Sequence, residues 1–316
     1  MTRPLITVGI TCYNAQDTIA RAIEGALRQD YPHFEIVVVD DCSTDGSFEI
    51  LKECALCSPE KVRVFKNEKN LGVAGTRNRV MSEARGEFLA FFDDDDDNEP
   101  ERLSVQYERI KAYEEKTGTQ SIVCFASGKK IYPNGYEVHF RAVGSQPIVP
   151  VGEDMVRYHL FMDRPEGVFY GNGTPSCSMM LRLSVLQSAG RFDAQLRRIE
   201  DSDLSIRLGL SNAHFIGCPE ELVLQYASEG GDKNPRAGYE AEAYLVNKYD
   251  DFLRAHGLDR YAKDWILVRY YHFSGQGGRA VLQVLRMILK YPVLTLKRFL
   301  RAAPKRLLHE WRMRRT

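Results

Sequence analysis

Two uninterrupted apolar runs, each ending abruptly in aspartates, constrain the fold of this chain more than any other feature. Ile36-Val37-Val38-Val39 leads into Asp40-Asp41, and Phe88-Leu89-Ala90-Phe91-Phe92 leads into five consecutive aspartates, Asp93 to Asp97. A strand with no polar residue on either face cannot lie against water on one side. Both runs therefore read as interior strands of a parallel sheet covered by helices. The flanking pattern agrees. Strands are expected over 5–11, 35–40, 62–65 and 88–92, with helices to about residue 28 after Asn14 as cap, then over 47–58 and 73–84. That rhythm is βαβ and calls for an α/β fold.

Further along, Pro100 opens a polar helix to about residue 117, in the first turn where proline is tolerated. A strand over 121–126 and a hairpin over 131–140, turning on Pro133-Asn134-Gly135, follow. A short helix is expected over 153–161, strands over 176–181 and 222–228, and helices over 184–189 and 203–210. Residues 141–173 otherwise carry few signals, and from Gly238 onward the pattern is helical.

With 316 residues, 44% hydrophobic and 27% charged, the chain can bury a core and does not read as disordered. No apolar run reaches the ~18 residues of a spanning helix, because Arg286, Lys290 and Lys297 interrupt the most hydrophobic stretch. The N-terminus shows no leader pattern, and seven cysteines without a framework spacing predict a reduced, cytoplasmic setting. The formal net charge is zero, but residues 279–316 hold eleven Lys/Arg against the single acid Glu310, a local +10. The preceding residues must then carry −10, an acidic body with a basic tail.

The aspartate run is a chemical signal. Adjacent carboxylates repel by about 1 kcal/mol per close pair even in water. A strand's carboxyl end is also where open α/β sheets bind ligands. Hard oxygen ligands there suit Mg²⁺ or Mn²⁺. A solvated acidic loop has the same composition, but a position at the end of a wholly apolar strand argues against it. Asp40-Asp41 and Thr11-Cys12-Tyr13-Asn14 place polar groups at two more strand ends, and Glu200-Asp201-Ser202-Asp203 places acids at a helix start. Ser202 and Asp203 are expected to cap that helix.

In this order the segments resemble the family 2 glycosyltransferases. Residues 6–14 are similar to the family's first strand and T/P-x-Y-N turn, and 35–46 to its E-I-I-V-V-D-D-G-S-x-D block. Asn70-Leu71-Gly72 and Thr76-Arg77-Asn78 resemble N-x-G and A-R-N. Residues 86–95 with Pro100-Glu101-Arg102-Leu103 resemble the D-x-D segment and its P-E-R-L. Gly190-Arg191-Phe192-Asp193 and 200–208 resemble G-G-F-D and E-D-x-D-L-x-x-R-L. Cys12, Cys42 and Thr76 stand where Pro, Gly and Ala are common.

The resemblance implies a GT-A fold, a Rossmann-like, mostly parallel sheet flanked by helices, over residues 1–230, with a C-terminal helical extension over 231–316. It implies an inverting hexosyltransferase using a nucleotide-sugar donor, UDP-linked, and Mn²⁺ or Mg²⁺. Asp41 would accept the uracil N3–H, with Thr11 and Tyr13 lining the nucleoside site, and Arg77 would approach the nucleotide phosphates. Asp93-Asp94-Asp95 is the D-x-D: Asp95 would bind the metal and Asp93 or Asp94 the ribose. Asp201 would be the general base. The acceptor would be a glycan or lipid-linked saccharide in surface polysaccharide or glycolipid synthesis. The alternatives are a soluble protein or small-molecule glycosyltransferase, or an inactive nucleotide-sugar-binding module on the same fold.

Three look-alikes are set aside. Gly72-Val73-Ala74-Gly75-Thr76-Arg77 echoes a nucleotidylyltransferase loop but follows the third strand, not the first. Cys54-Ala55-Leu56-Cys57 has no second pair. Gln283-Val284-Leu285-Arg286-Met287 faintly resembles the Q-x-x-R-W of processive synthases without their membrane spans.

In the tail, Arg279, Gln283, Arg286 and Lys290 space along one helix face, with Val281, Leu282, Leu285, Ile288 and Leu289 opposite. Pro292 ends that helix, and basic and bulky apolar residues alternate through Trp311. From about residue 279 this predicts peripheral association with anionic membrane on the cytoplasmic face. Packing on the acidic body is the competing reading. Nucleic-acid binding is not expected, since no recognised module is present.

Overall fold

The computed structural model describes residues 3–227 and 234–298. The strands are β1 (Ile6–Cys12), β2 (Phe34–Asp40), β3 (Val62–Lys66), β4 (Phe88–Asp93), β5 (Asp97–Asn98), β6 (Ile122–Ile131), β7 (Glu137–Phe140), β8 (Met179–Arg182) and β9 (His214–Tyr226). The first helices are α1 (Ile19–Leu27), α2 (Ser47–Cys57), α3 (Gly72–Glu83), α4 (Arg102–Thr117), α5 (Glu153–Phe161), α6 (Leu183–Ser188) and α7 (Glu200–Leu210). They are followed by α8 (Pro235–Lys248), α9 (Asp250–Ala255), α10 (Asp259–Phe273) and α11 (Gly277–Lys290), and a 3₁₀ turn spans Ser176–Ser178.

The nine strands of the described residues join one sheet in the order β3-β2-β1-β4-β8-β6-β9-β5, with β7 added to β6. The half built from β3, β2, β1 and β4 is parallel throughout. The two apolar runs are its interior: residues 36–39 and 88–92 are buried without exception. In the other half β8 runs antiparallel to both β4 and β6, while β6 and β9 pair in parallel. Helix α3 packs on β1 and β2, and α4 packs on β6 and β9.

β6 runs on to Ile131 and β8 starts only at Met179, after a 3₁₀ turn, but two strands depart furthest from the sequence reading. β9 begins at His214, eight residues before the expected start. Cys218-Pro219-Glu220-Glu221 hides the pairing because the register with β6 shifts there, so that Ala126 faces Cys218 and Ser127 faces Glu221. β5 lies within the aspartate run itself, with Asp97 opposite Leu224. The carboxyl end of that run is therefore sheet and not a solvated loop.

The chain divides into two compact units. The first comprises residues 3–132, 137–156 and 164–227 of those described, and holds the whole sheet. The second comprises 133–136, 157–163 and 234–298. Its core sets Tyr261 and Val268 of α10 against Met287 of α11, with Trp265, Val284 and Tyr291 around them. The inward face of α11 is thus Ala280, Gln283 and Met287, and Gln283 donates to Asp264 at 2.9 Å. The apolar row Val281, Leu282, Leu285 and Leu289 is exposed, Leu289 at 86%. Tail residues from Phe299, including Arg301, Lys305, Arg306 and Trp311, lie outside the described residues.

Candidate active site

The carboxyl ends of β1, β2 and β4 are adjacent in the sheet, with Thr11 in register with Val39 on one side and Asp93 on the other. Asp41 is buried just beyond β2. Its Oδ1 accepts from the Asn67 amide at 2.9 Å and the Leu71 backbone N–H at 2.8 Å, and its Oδ2 accepts from the Gly72 N–H at 2.8 Å. The carboxylate thus holds the N-terminal end of α3, where unpaired N–H groups and the helix dipole favour negative charge. One lone pair of Oδ2 remains for a donor such as a pyrimidine N3–H.

Asn14 is not the cap expected from its sequence position. Helix α1 starts at Ile19, and Asn14 lies before it in the left-handed region with φ +50°. Its Oδ1 accepts from the Thr44 N–H at 2.9 Å, and its own N–H donates to Ser43 Oγ at 3.0 Å. With Ala15 N–H donating to Ser47 Oγ at 2.8 Å, these bonds lace the loops after β1 and β2 together. Tyr13 is carried at the rim, its side chain about half exposed and its N–H donating to Asp94 Oδ2 at 3.1 Å.

The acidic run does not act as five equivalent carboxylates. Asp93 and Asp96 lie beside Cys177 of the 3₁₀ turn, with one ligand atom of each within 4.8 Å of the others. Asp96 is buried and accepts from the Tyr226 N–H at 3.3 Å and from Gln225 Nε2 at 3.4 Å. Asp95 is half-buried, and its backbone carbonyl accepts from Arg21 at 2.8 Å. Burial, helped by the charges of Asp93 and Asp95, pushes Asp94 up to about 7 and Asp96 up to about 8. Burial and then Asp93 raise Asp95 as well. Such a cluster favours either protons or a cation. Burial also lifts the Cys177 thiol well above its ordinary value, so it offers no thiolate at neutral pH. The usable donors are carboxylate oxygens, which fit Mg²⁺ or Mn²⁺ and not a thiophilic metal.

Arg77, expected to approach the nucleotide phosphates, is 6% exposed and points into the protein. Its Nη1 donates to Glu200 at 2.6 Å and its Nη2 to Asp93 at 3.4 Å. The guanidinium lies beside the edge-to-face pair Phe91 and Phe192, 5.9 and 5.6 Å from their ring centroids. One cation therefore ties the end of β4 to the start of α7. Asn78, the next residue, clamps Phe192 from both sides of its backbone: its Nδ2 donates to the carbonyl at 2.8 Å and its Oδ1 accepts from the N–H at 2.7 Å.

Helix α7 begins with Glu200 and Asp201, so Ser202 and Asp203 are internal and not caps. The cap position is Ile199, held at φ +58°, a conformation that costs a β-branched residue of order 1–3 kcal/mol. Asp203 instead pairs with Arg207 at 2.9 Å, and Asp201 accepts from the Ser202 N–H at 2.7 Å. Burial and the Glu200 charge push Asp201 up to about 7, against the opposing pull of Arg77.

Sequence reasoning passed over Asp96, Cys177, Glu200 and Gln225 as site residues. Glu200 was legible in its motif. Cys177 and Gln225 carry no local signal, because only the mixed half of the sheet delivers them. Arg102 of the P-E-R-L segment is wholly buried, with its Nη2 on the Phe91 carbonyl at 2.9 Å and its Nε on Gln106 at 3.1 Å. Gln106 in turn donates to the carbonyls of Ser178 at 2.9 Å and Cys124 at 3.1 Å. This chain of bonds fixes the turn bearing Cys177.

A parallel half-sheet with polar strand ends, an acid cluster and a facing acidic helix start defines the GT-A class of fold. The sequence profile described as glycosyl transferase family 2 matches residues 7–185, more than half of the chain, and the chain belongs to that family. It is similar to the succinoglycan biosynthesis protein ExoO of Rhizobium meliloti (strain 1021), 41% identical over 34% of this chain and 30% of ExoO. It is also similar to the Escherichia coli UDP-Glc:alpha-D-GlcNAc-diphosphoundecaprenol beta-1,3-glucosyltransferase WfaP, 37% identical over 29% of this chain and 36% of WfaP. The matched stretch thus spans about a third of each of these relatives. Among solved structures, S. aureus TarS 1-349 in complex with UDP-GlcNAc shares the fold with a TM-score of 0.58 at 21% identity, over 90% of this chain and 80% of that one.

Proposed function

We propose that the chain is an inverting, metal-dependent glycosyltransferase that moves a sugar from a UDP-linked donor to a glycan or lipid-linked saccharide acceptor. The observation that carries this reading is the single cation Arg77 joining Asp93 to Glu200, immediately beside Asp201. It links the donor side to the acceptor side through one buried contact.

In this reading Thr11, Tyr13 and Asp41 hold the nucleoside, and Asp93 or Asp94 contacts the ribose. Asp95, with Asp93 and Asp96 alongside, would hold Mg²⁺ or Mn²⁺, which when bound supplies positive charge to a diphosphate leaving group. Asp201 takes the proton of the acceptor hydroxyl as that hydroxyl attacks the anomeric carbon from the face opposite the diphosphate. A carboxylate at its ordinary pKa is a weak base for this task. At about 7 Asp201 is better matched. Arg77 keeps the neighbouring Glu200 charge paired, so that Asp201 can ionise when the acceptor arrives.

The membrane part of the proposal rests on α11. Its exposed apolar row lies beside Arg286 and Lys290, the arrangement of an interfacial helix on anionic lipid. No described helix is long and apolar enough to cross a membrane.

The test is a screen of nucleotide sugars for donor turnover with Mn²⁺ and with EDTA, using wild type and Asp201→Asn. Expected are turnover of one UDP-sugar, its loss in EDTA, and transfer to acceptor reduced by about 10³-fold or more in the variant with UDP affinity retained. Equal turnover with and without chelator would remove the metal role. A variant within about tenfold of wild type would remove Asp201 as base.

A further inference from the structure

The second unit contains a cavity of about 270 Å³ that the transferase site does not use. It lies among residues 157–163 after the start of α5, the beginning of α10 and the helical segment 292–298. Arg157, Leu258, Tyr261, Leu294, Lys297 and Arg298 are among its lining residues.

Among the described residues, the charges lining this cavity do not balance. Arg157 pairs with Asp163 through Nη2 at 2.7 Å and Nε at 3.1 Å, so that cation is matched. Nearby Glu242 is taken by Arg269 at 2.9 Å. Lys297 and Arg298 then remain as two positive charges lining one small space. Arg298 is held in place by stacking, its guanidinium carbon 4.0 Å from the Trp265 ring centroid. Its side chain bonds to Tyr261, but among the described residues its Nη1 is buried without a hydrogen-bond partner. A buried donor left unmade is costly, and a guanidinium fork fits phosphate oxygens better than any other common anion. The wall is mixed: Leu258 and Leu294 provide apolar surface, and Tyr261 provides a ring.

We propose that this cavity is a binding site for a phosphate group, held by Arg298 and Lys297. The source of the phosphate is the headgroup of an anionic lipid or a free phosphate. The lipid source fits the surroundings, because Val293 and Leu296 flank the lining residue Leu294 and are exposed at 75% and 56%. An acyl chain would meet that apolar surface while the headgroup entered the cavity. The lipid source rests on the membrane reading of α11; phosphate recognition does not.

Trp265 reports on the site directly. The chain has two tryptophans, and Trp311→Phe leaves Trp265 as the only tryptophan, stacked under Arg298 and excited selectively at the red edge of the absorption band. The full-length variant is titrated with inorganic phosphate, with sodium chloride at matched ionic strength, and with vesicles of phosphatidylcholine with or without phosphatidic acid. We expect a saturable change of Trp265 emission with phosphate and none with chloride. Adding Lys297→Gln, at an exposed position that does not threaten folding, should weaken phosphate binding at least about fivefold. Arg298→Lys should weaken it while preserving charge, since the fork is lost. Saturation by phosphatidic acid vesicles at lower total phosphate than the inorganic ion identifies the lipid source, and saturation by the ion alone identifies the free one. Superimposed phosphate and chloride curves, with no response to either vesicle, overturn the proposal. So does an unchanged affinity in Lys297→Gln. Neither residue belongs to the acid site, so these outcomes leave the transferase reading intact.

Discussion

At the residue scale, the chemistry turns on carboxylates that hold protons longer than free aspartate does. As the proposed base, Asp201 would work only when ionised, so transfer should rise with pH through about 7 and not saturate above pH 5. A pH profile of kcat/KM for the acceptor checks this. The acid run has a stability consequence with a definite sign. An unfolded aspartate ionises near 3.8, whereas folded Asp94 and Asp96 ionise at about 7 and about 8. The native state therefore binds more protons over that interval, and stability is lost as pH rises from about 4 to 8. In chelator, the melting temperature should be higher at pH 6 than at pH 8.5, and Mn²⁺ should shrink the difference. Cys42 makes a separate case. It occupies φ +62°, where a non-glycine residue is strained. Cys42→Gly should stabilise the fold by about 1 kcal/mol, read from the urea midpoint. This position was legible in part: Cys42 stood out as a departure from a glycine pattern, but only the backbone shows why glycine suits it.

Among elements, the parallel half of the sheet was legible with its pairing, whereas in the mixed half the strands were expected but their order and the early part of β9 were not. Residues 36–39 and 88–92 are apolar on both faces, which leaves no arrangement except an interior strand. β8 and the early part of β9 are short or interrupted by Pro219, and their place is set by partners far away in sequence. The aspartates were visible, but their division of labour was not. Asp96 is distinguished by Gln225 and Tyr226 on β9, and no local pattern announces that strand's return. Arg102 was read as part of a motif without a role. In the structure it bonds the Phe91 carbonyl, Asn98 and Gln106 from a wholly buried position. Arg102→Met should cost about 3 kcal/mol, because it strands several buried acceptors at once. Urea denaturation measures the loss. A change below about 0.5 kcal/mol would show that the network is dispensable.

For the whole molecule, the second unit sets where the chain can be cut. Removing residues from Gly277 onward would take Met287 and Val284 away from Tyr261 and Val268 and open that unit's core. Truncation there should give an aggregation-prone protein, whereas a chain ending near residue 227 should keep a cooperative melt and bind UDP. Limited proteolysis with calorimetry distinguishes the two. The exposed row on α11 has one more consequence, for handling. A neutral chain at pH 7 has no net repulsion to keep copies apart, and here Leu282, Leu285 and Leu289 face outward as well. In dilute buffer at pH 7 the purified protein should turn cloudy as it is concentrated, and a little mild detergent should keep it clear.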